Sequence, residues 1–238
     1  MISVPLKKNL LLSFFAFFFS LGILNIHHWD FALLFTLSIV VSYQWLYERS
    51  NHWLYLLIAG IIGVSYAYLC GPFSWPFFYY LLLGALVLTY EKGIKWRRIP
   101  YIKPVFIAIC WFSLGIAIPK LVLYGKVPFV DFSHLFLFFI LAVVEDLEDM
   151  SEDIGHIRTI PLLLTKVTTE LLIVISLFGY FAMNHRLNIF SEHWEIKYLS
   201  IILANSPLIY AVYLKNSRKI NHQYFDFLLF LVGLLYLL

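Results

Sequence analysis

Apolar runs about as long as a bilayer is thick fill this chain, each broken by short polar, Pro or Gly punctuation. The pattern predicts about nine helices, at 9–26, 30–47, 53–70, 75–91, 103–119, 129–147, 162–183, 197–214 and 223–238. Several fall short of a full span, consistent with tilt, partial re-entry or extension by interfacial Trp and Tyr. No short repeat or low-complexity tract interrupts the series. The expected fold is an all-α integral membrane bundle of transmembrane helices, a single domain over residues 1–238.

Composition strengthens that reading. Of 238 residues, 62% are hydrophobic and 19% aromatic, and only 13% are charged. Soluble domains carry roughly a quarter of their residues charged, so a soluble fold is excluded, and the chain is too apolar for disorder. A net charge of +3 gives no support to nucleic-acid binding. The position of the basic residues says more than their number. Counting across nine spans, one side collects Lys7, Lys8, Arg49, Lys92, Lys95, Arg97, Arg98, Lys103, Arg158, Lys166, Lys215, Arg218 and Lys219. The other side holds Lys120, Lys126, Arg186 and Lys197. By the positive-inside rule the N-terminus is expected in the cytoplasm. Lys7 and Lys8 before an apolar run imitate a secretory signal, but no small-residue cleavage site follows, and the segment reads as a retained first span. Cys70 and Cys110 stand singly in apolar stretches, without the spacing of a zinc site, and read as small core residues.

The loudest local signal is acidic. Six of the 14 acidic residues lie within nine positions: Glu145, Asp146, Glu148, Asp149, Glu152 and Asp153. On a helix, Asp146, Asp149 and Asp153 (i, i+3, i+7) share one face, and such like charges repel unless a cation sits among them. Hard oxygen donors in a shallow cluster suit Mg²⁺, which keeps waters and takes carboxylates together with phosphate oxygens. The alternative is a solvated loop of ordinary surface acids. The second span ends in Gln44, Glu48 and His52 (i, i+4, i+8), which could supply ligands or hydrogen-bond donors, or form an ordinary polar helix end. Between Tyr90 and Lys103, Lys95, Arg97 and Arg98 offer cations for a diphosphate. They would equally satisfy the positive-inside rule against anionic lipid. Three segments on one face, at the mouth of an apolar bundle, suit a substrate with a hydrocarbon tail and an anionic head.

The run Asp146-Leu-Glu-Asp149-Met-Ser-Glu-Asp153, then Gly155, then Arg158-Thr159-Ile160-Pro161, resembles the second aspartate-rich motif of the UbiA-type intramembrane prenyltransferases. That motif is DxxDxxxD followed by a Gly and a basic-Thr-x-Pro. Tyr90 with Lys95-Trp96-Arg97 is similar to the family's Tyr and Lys-Arg segment, and nine helices with both motif loops cytoplasmic match its layout. The first motif departs. Where the family has N-x-x-x-D-x-x-x-D, this chain has Gln44, Glu48 and His52, so the last hard anion is lost.

The resemblance implies Mg²⁺ held by Asp146, Asp149 and Asp153 with help from Glu48, binding the diphosphate of a polyprenyl donor. It gives Lys95 and Arg97 the task of offsetting charge on the leaving group, and Arg158 that of clamping phosphate or fixing the loop. Gln44, His52 and Tyr90 complete the expected substrate-binding set. The acceptor would be lipid-soluble, in this family usually an aromatic ring, and the compartment the cytoplasmic (inner) membrane. A second implication is open: a homologue that kept the fold and lost the reaction, acting as a lipid-binding or scaffold protein. Other membrane enzymes match less well. No DG or AR precedes Asp146 as in CDP-alcohol phosphotransferases, and His185, His193 and His222 fall at loops rather than inside later spans as the paired-Glu membrane proteases require. A transporter would carry ionisable residues at mid-membrane, whereas most acids here stand at span ends.

Overall fold

The computed structural model describes residues 4–47, 52–92, 99, 101–148, 160–164, 166–188, 233, 234 and 236. Among them there are helices and no strands. In chain order these are α1 (Val4–Leu24), α2 (Trp29–Tyr47), α3 (His52–Cys70), α4 (Trp75–Lys92), α5 (Ile102–Phe112), α6 (Ile118–Tyr124), α7 (Ser133–Glu148), α8 (Ile160–Leu163) and α9 (Lys166–Asn188). A π-helical turn, Ser113–Ala117, joins α5 to α6 in one apolar run. The first seven expected spans therefore each meet a helix. The span expected at 197–214 and most of that at 223–238 lie outside the described residues. Among the described residues three segments are long and apolar enough to cross a membrane, Ile26–Trp45, Trp53–Cys70 and Ile102–Tyr124. Sequence punctuation ends the helices where expected. Gly71 and Gly125 take the left-handed conformation (φ 84° and 68°) after α3 and α6, the position that favours a residue without Cβ. Ser74 Oγ then accepts the Phe77 N–H at 3.3 Å and helps to open α4.

Burial runs opposite to that of a soluble bundle. Trp53, Leu57, Ile61, Val64 and Tyr68 form an exposed apolar stripe down α3. Val174, Ile175 and Phe178 are exposed on α9, while Thr169 and Ser176 of the same helix are buried. A helix that turns apolar side chains outward needs lipid around it. Inside, hydroxyls meet their own helix: Ser38 donates to the Leu34 carbonyl at 2.8 Å, Ser42 to Ser38 at 2.7 Å and Ser176 to Leu172 at 2.8 Å. This back-bonding satisfies each hydroxyl where no water is at hand.

The chain divides into two compact units, interleaved in sequence. The first comprises residues 1–91 and 113–127 with a C-terminal stretch, 226–238. Its α1 and α2 pack through Phe15, Phe19, Phe31 and Phe35, all buried. Small residues let backbones close up here, as they do in membrane helix pairs. A Cβ at Gly22 would run into the Tyr236 carbonyl, and one at Gly115 would stand 2.9 Å from the Phe35 ring. Pro119 cannot donate the N–H that an α-helix would deliver to the Gly115 carbonyl. Ser20 Oγ of α1 donates to that carbonyl instead, at 3.3 Å.

The second unit comprises residues 92–112 and 128–225. In it α5 and α7 lie side by side and antiparallel. The Trp111 and Phe138 rings meet edge to face at 5.6 Å, and eight residues away on each helix Lys103 meets Asp146. Helix α9 packs on α7, with the Phe136 ring over Gly179 and His134 against Tyr180 at 5.9 Å.

Gly115→Val should force the Phe35 ring from a filled pocket and cost about 1–3 kcal/mol. Thermal unfolding in detergent micelles reads the loss. Adding Phe35→Leu should return part of it; strictly additive losses would show that the two residues are not in contact.

Candidate functional site

Only part of the expected site falls on described side chains. Glu48, Lys95, Arg97, Asp149, Asp153 and Arg158 lie outside the described residues, and His52 is described only as the first residue of α3. Gln44, Tyr90 and Asp146 are described, the first two in the first unit and the third in the second.

Asp146 lies in the last turn of α7, where the apolar run Leu137–Val144 gives way to acids. Its carboxylate is 0% exposed, and the Lys103 ammonium rests on Oδ1. The lysine side chain is 8% exposed. Local chain geometry delivers that ammonium. Tyr101, at φ 67°, turns the backbone through the left-handed region, a conformation that costs a non-glycine residue roughly 1–3 kcal/mol and persists only where its surroundings fix it. Ile102 then opens α5, and Pro104 sits in the first turn, where its missing N–H costs nothing. Lys103 is thereby carried into the groove between α5 and α7. A buried carboxylate is tolerated when a counter-charge meets it, and here the neighbouring helix supplies one.

Sequence reasoning counted Lys103 among the basic residues of the cytoplasmic side and assigned it no partner. A usable signal existed: it opens the span expected at 103–119, and a lysine carried on an apolar helix calls for a carboxylate. A second buried polar group also went unnoticed. At the opposite end of α7, His134 Nδ1 lies 2.9 Å from the Asp131 carbonyl oxygen, with Asp131, Ser133 and Tyr180 buried around it. It stands about 18 Å along the helix from Asp146, at 1.5 Å per residue.

In the first unit a cavity of about 540 Å³ lies among α2, α3 and α4. That is within the roughly 300–1,000 Å³ of small-molecule sites. Its lining is apolar except for Ser38, Ser42, Trp45, Tyr55 and Tyr80. Gly60 and Gly84 both line it, and neither would meet an atom within 4 Å if given a Cβ. Stacking of Tyr66 on Tyr80, at 4.1 Å and 22°, holds α3 to α4 beside it. At one end the cavity reaches Trp45, Tyr55 and Leu88. These neighbour the end of α2 that carries Gln44 and the end of α4 that carries Tyr90. Gln44 is half-buried and Tyr90 buried.

Magnesium asks for hard oxygen donors. Asp146 is such a donor, but its carboxylate is fully buried and its charge is already met by the Lys103 ammonium. Among the described residues no three His, Cys, Asp or Glu side chains gather into a metal-binding group. Comparison with protein families, characterised proteins and solved structures finds no match for this chain. The likeness to the UbiA-type enzymes therefore rests on the motif residues themselves.

The Lys103–Asp146 pair yields a direct test. Lys103→Met or Asp146→Leu alone should cost about 3–5 kcal/mol, because either leaves one charge buried without its counter-charge. Combining them should recover most of the loss in thermal unfolding. Losses that simply add would mean that the two groups are not coupled.

Proposed function

We propose that this chain is an intramembrane prenyltransferase, which moves a polyprenyl group from its diphosphate to a lipid-soluble acceptor, most suitably an aromatic ring. The observation that carries the reading is the apolar cavity among α2, α3 and α4, whose lining reaches the helix ends beside Gln44 and Tyr90. A hydrocarbon chain fits such a lining and a polar head does not. The acidic run that contains Asp146 would add the second requirement, a place for the cation that accompanies a diphosphate.

In this reading the chain lies in the cytoplasmic (inner) membrane with its motif loops on the cytoplasmic side. Asp146, Asp149, Asp153 and Glu48 would hold Mg²⁺, which when bound offsets the charge on the departing diphosphate. Lys95, Arg97 and Arg158 would offset charge on the same anion, most strongly as the allylic C–O bond breaks and its electrons leave with the diphosphate. Gln44 and His52 offer hydrogen bonds to the head group, and the apolar walls keep water from the reactive carbon. The second reading is a homologue that binds lipid without chemistry. It draws on His52, where the family has a carboxylate, and on the ammonium that occupies Asp146.

The deciding measurement is binding of a graded set of polyprenyl diphosphates to the detergent-purified chain, with and without Mg²⁺. Asp149→Asn is the informative variant, because a change at Asp146 also disturbs the α5–α7 contact. Magnesium-dependent binding that falls at least about ten-fold in Asp149→Asn supports the transferase. Gly84→Phe should weaken long-chain donors more than short ones, since its ring would enter the cavity. Binding indifferent to both Mg²⁺ and Asp149 favours the lipid-binding homologue.

A further inference from the structure

We propose that the cavity among α2, α3 and α4 measures the donor: it takes in roughly the first three to four isoprene units, counted from the diphosphate, and leaves any further units in lipid. The inference rests on the reading above only for the donor's being a polyprenyl diphosphate. The limit itself comes from the cavity.

At one end the lining begins with Trp45, Tyr55 and Leu88, and at the other it stops with Ala67, Phe77 and Leu114. At that far level two contacts tie α4 down. Tyr80 stacks on Tyr66 of α3, and the Tyr79 hydroxyl lies 2.6 Å from Ser113 Oγ in the π turn. A chain that went deeper would have to part them. Tyr55 and Ala67 stand twelve residues apart on α3, about 18 Å at 1.5 Å per residue, against a bilayer core of roughly 30 Å. A chain entering beside Tyr55 therefore meets the end of the cavity well inside the bilayer. Volume sets a similar limit. A carbon group is close in size to a water molecule, at about 30 Å³ each, so the cavity of about 540 Å³ has room for roughly 18 of them, between three and four units of five carbons.

The side wall is partly open, since Val64 and Leu81 line the cavity and are 72% and 45% exposed. Carbons beyond the limit pass out by that wall into lipid, where they gain no more than they lose. Carbons inside gain contacts that a void cannot offer. Affinity should thus climb with chain length and then level off. A prenyl chain also suits the cavity better than a saturated one. Its double bonds do not rotate, so confinement costs it less entropy, and Trp45, Tyr55, Phe77 and Tyr80 place aromatic rings around it.

The experiment measures binding of geranyl, farnesyl, geranylgeranyl and hexaprenyl diphosphates, with Mg²⁺, to the full chain in detergent micelles. The matching prenyl alcohols, and saturated alcohols of equal carbon number, are measured in parallel. Affinity should rise at least about five-fold from geranyl to geranylgeranyl and change less than about two-fold from there to hexaprenyl. Plugs at two depths test the limit. Gly60 and Gly63 line the cavity five and eight residues beyond Tyr55, about 7.5 and 12 Å along α3. Gly63→Phe should bring the levelling-off down to farnesyl and Gly60→Phe down to geranyl, each leaving shorter donors bound as in the natural chain. Gly60 has open space where its Cβ would lie, so Gly60→Phe decides alone if Gly63→Phe, whose Cβ stands 3.8 Å from the Tyr80 ring, does not fold. Affinity that keeps climbing to hexaprenyl overturns the proposal, as do plugs that weaken every length alike or act in the reverse order. Saturated alcohols that bind as tightly as prenyl alcohols would give the cavity to a membrane acyl chain, and overturn it too. If the diphosphates bind without a length limit, the limit falls and the transferase stands. If the prenyl alcohols level off and follow the plugs but no diphosphate binds, the limit stands as a property of the cavity and the transferase falls. If no chain binds in either form, both fall.

Discussion

In a bundle surrounded by lipid, a charge can be kept inside only beside its opposite, and the contact of Lys103 with Asp146 meets that condition in the second unit. Much of the unit's local geometry serves it. Tyr101 accepts a left-handed backbone, Pro104 shapes the first turn of α5, and the Trp111–Phe138 contact two turns further on sets the register that brings the two groups together. Two leucines could have bridged α5 and α7 without desolvating any charge, so adhesion alone does not account for the pair. Asp146 also belongs to the only dense acidic run in the sequence, six acids in nine positions from Glu145 to Asp153.

The first unit solves a different problem with neutral groups. Helix association in lipid gains little from hiding apolar surface, so close backbone approach and hydrogen bonds take over. Gly115 seats the Phe35 ring, Gly22 admits the Tyr236 backbone, and Ser20 reaches the carbonyl beside which Pro119 withholds a donor. The π turn that holds Gly115 also contains Ser113, whose hydroxyl lies 2.6 Å from the Tyr79 hydroxyl. Each irregularity of the backbone thus has a polar or small-residue partner, as a membrane interior demands. On α3 and α4, by contrast, Gly60 and Gly84 approach no neighbour and line the cavity.

How far the sequence could be read follows from which forces act locally. Span positions were legible because bilayer thickness imposes a length on every helix; the expected 30–47, 53–70 and 75–91 differ from α2, α3 and α4 by at most a residue at either end. The 3-10 turn at Phe129–Phe132 was folded into the span expected at 129–147, because Pro128 and Asp131 mark a turn only weakly against so apolar a background. The π turn was invisible, since nothing in Ser113-Leu-Gly-Ile-Ala117 distinguishes i→i+5 bonding from an ordinary helix. Of the candidate site, motif spacing picked out Asp146 and missed Lys103. Spacing along one helix is a local property, whereas the meeting of α5 with α7 joins residues more than forty positions apart in sequence.

That asymmetry bears on chemistry. By spacing, Asp146, Asp149 and Asp153 at i, i+3 and i+7 are carboxylates in need of a cation, and for Asp146 that cation is a side chain of the protein itself. The counter-charge of this carboxylate is thus internal, and it can lie at the buried end of α7 without a ligand from outside the chain.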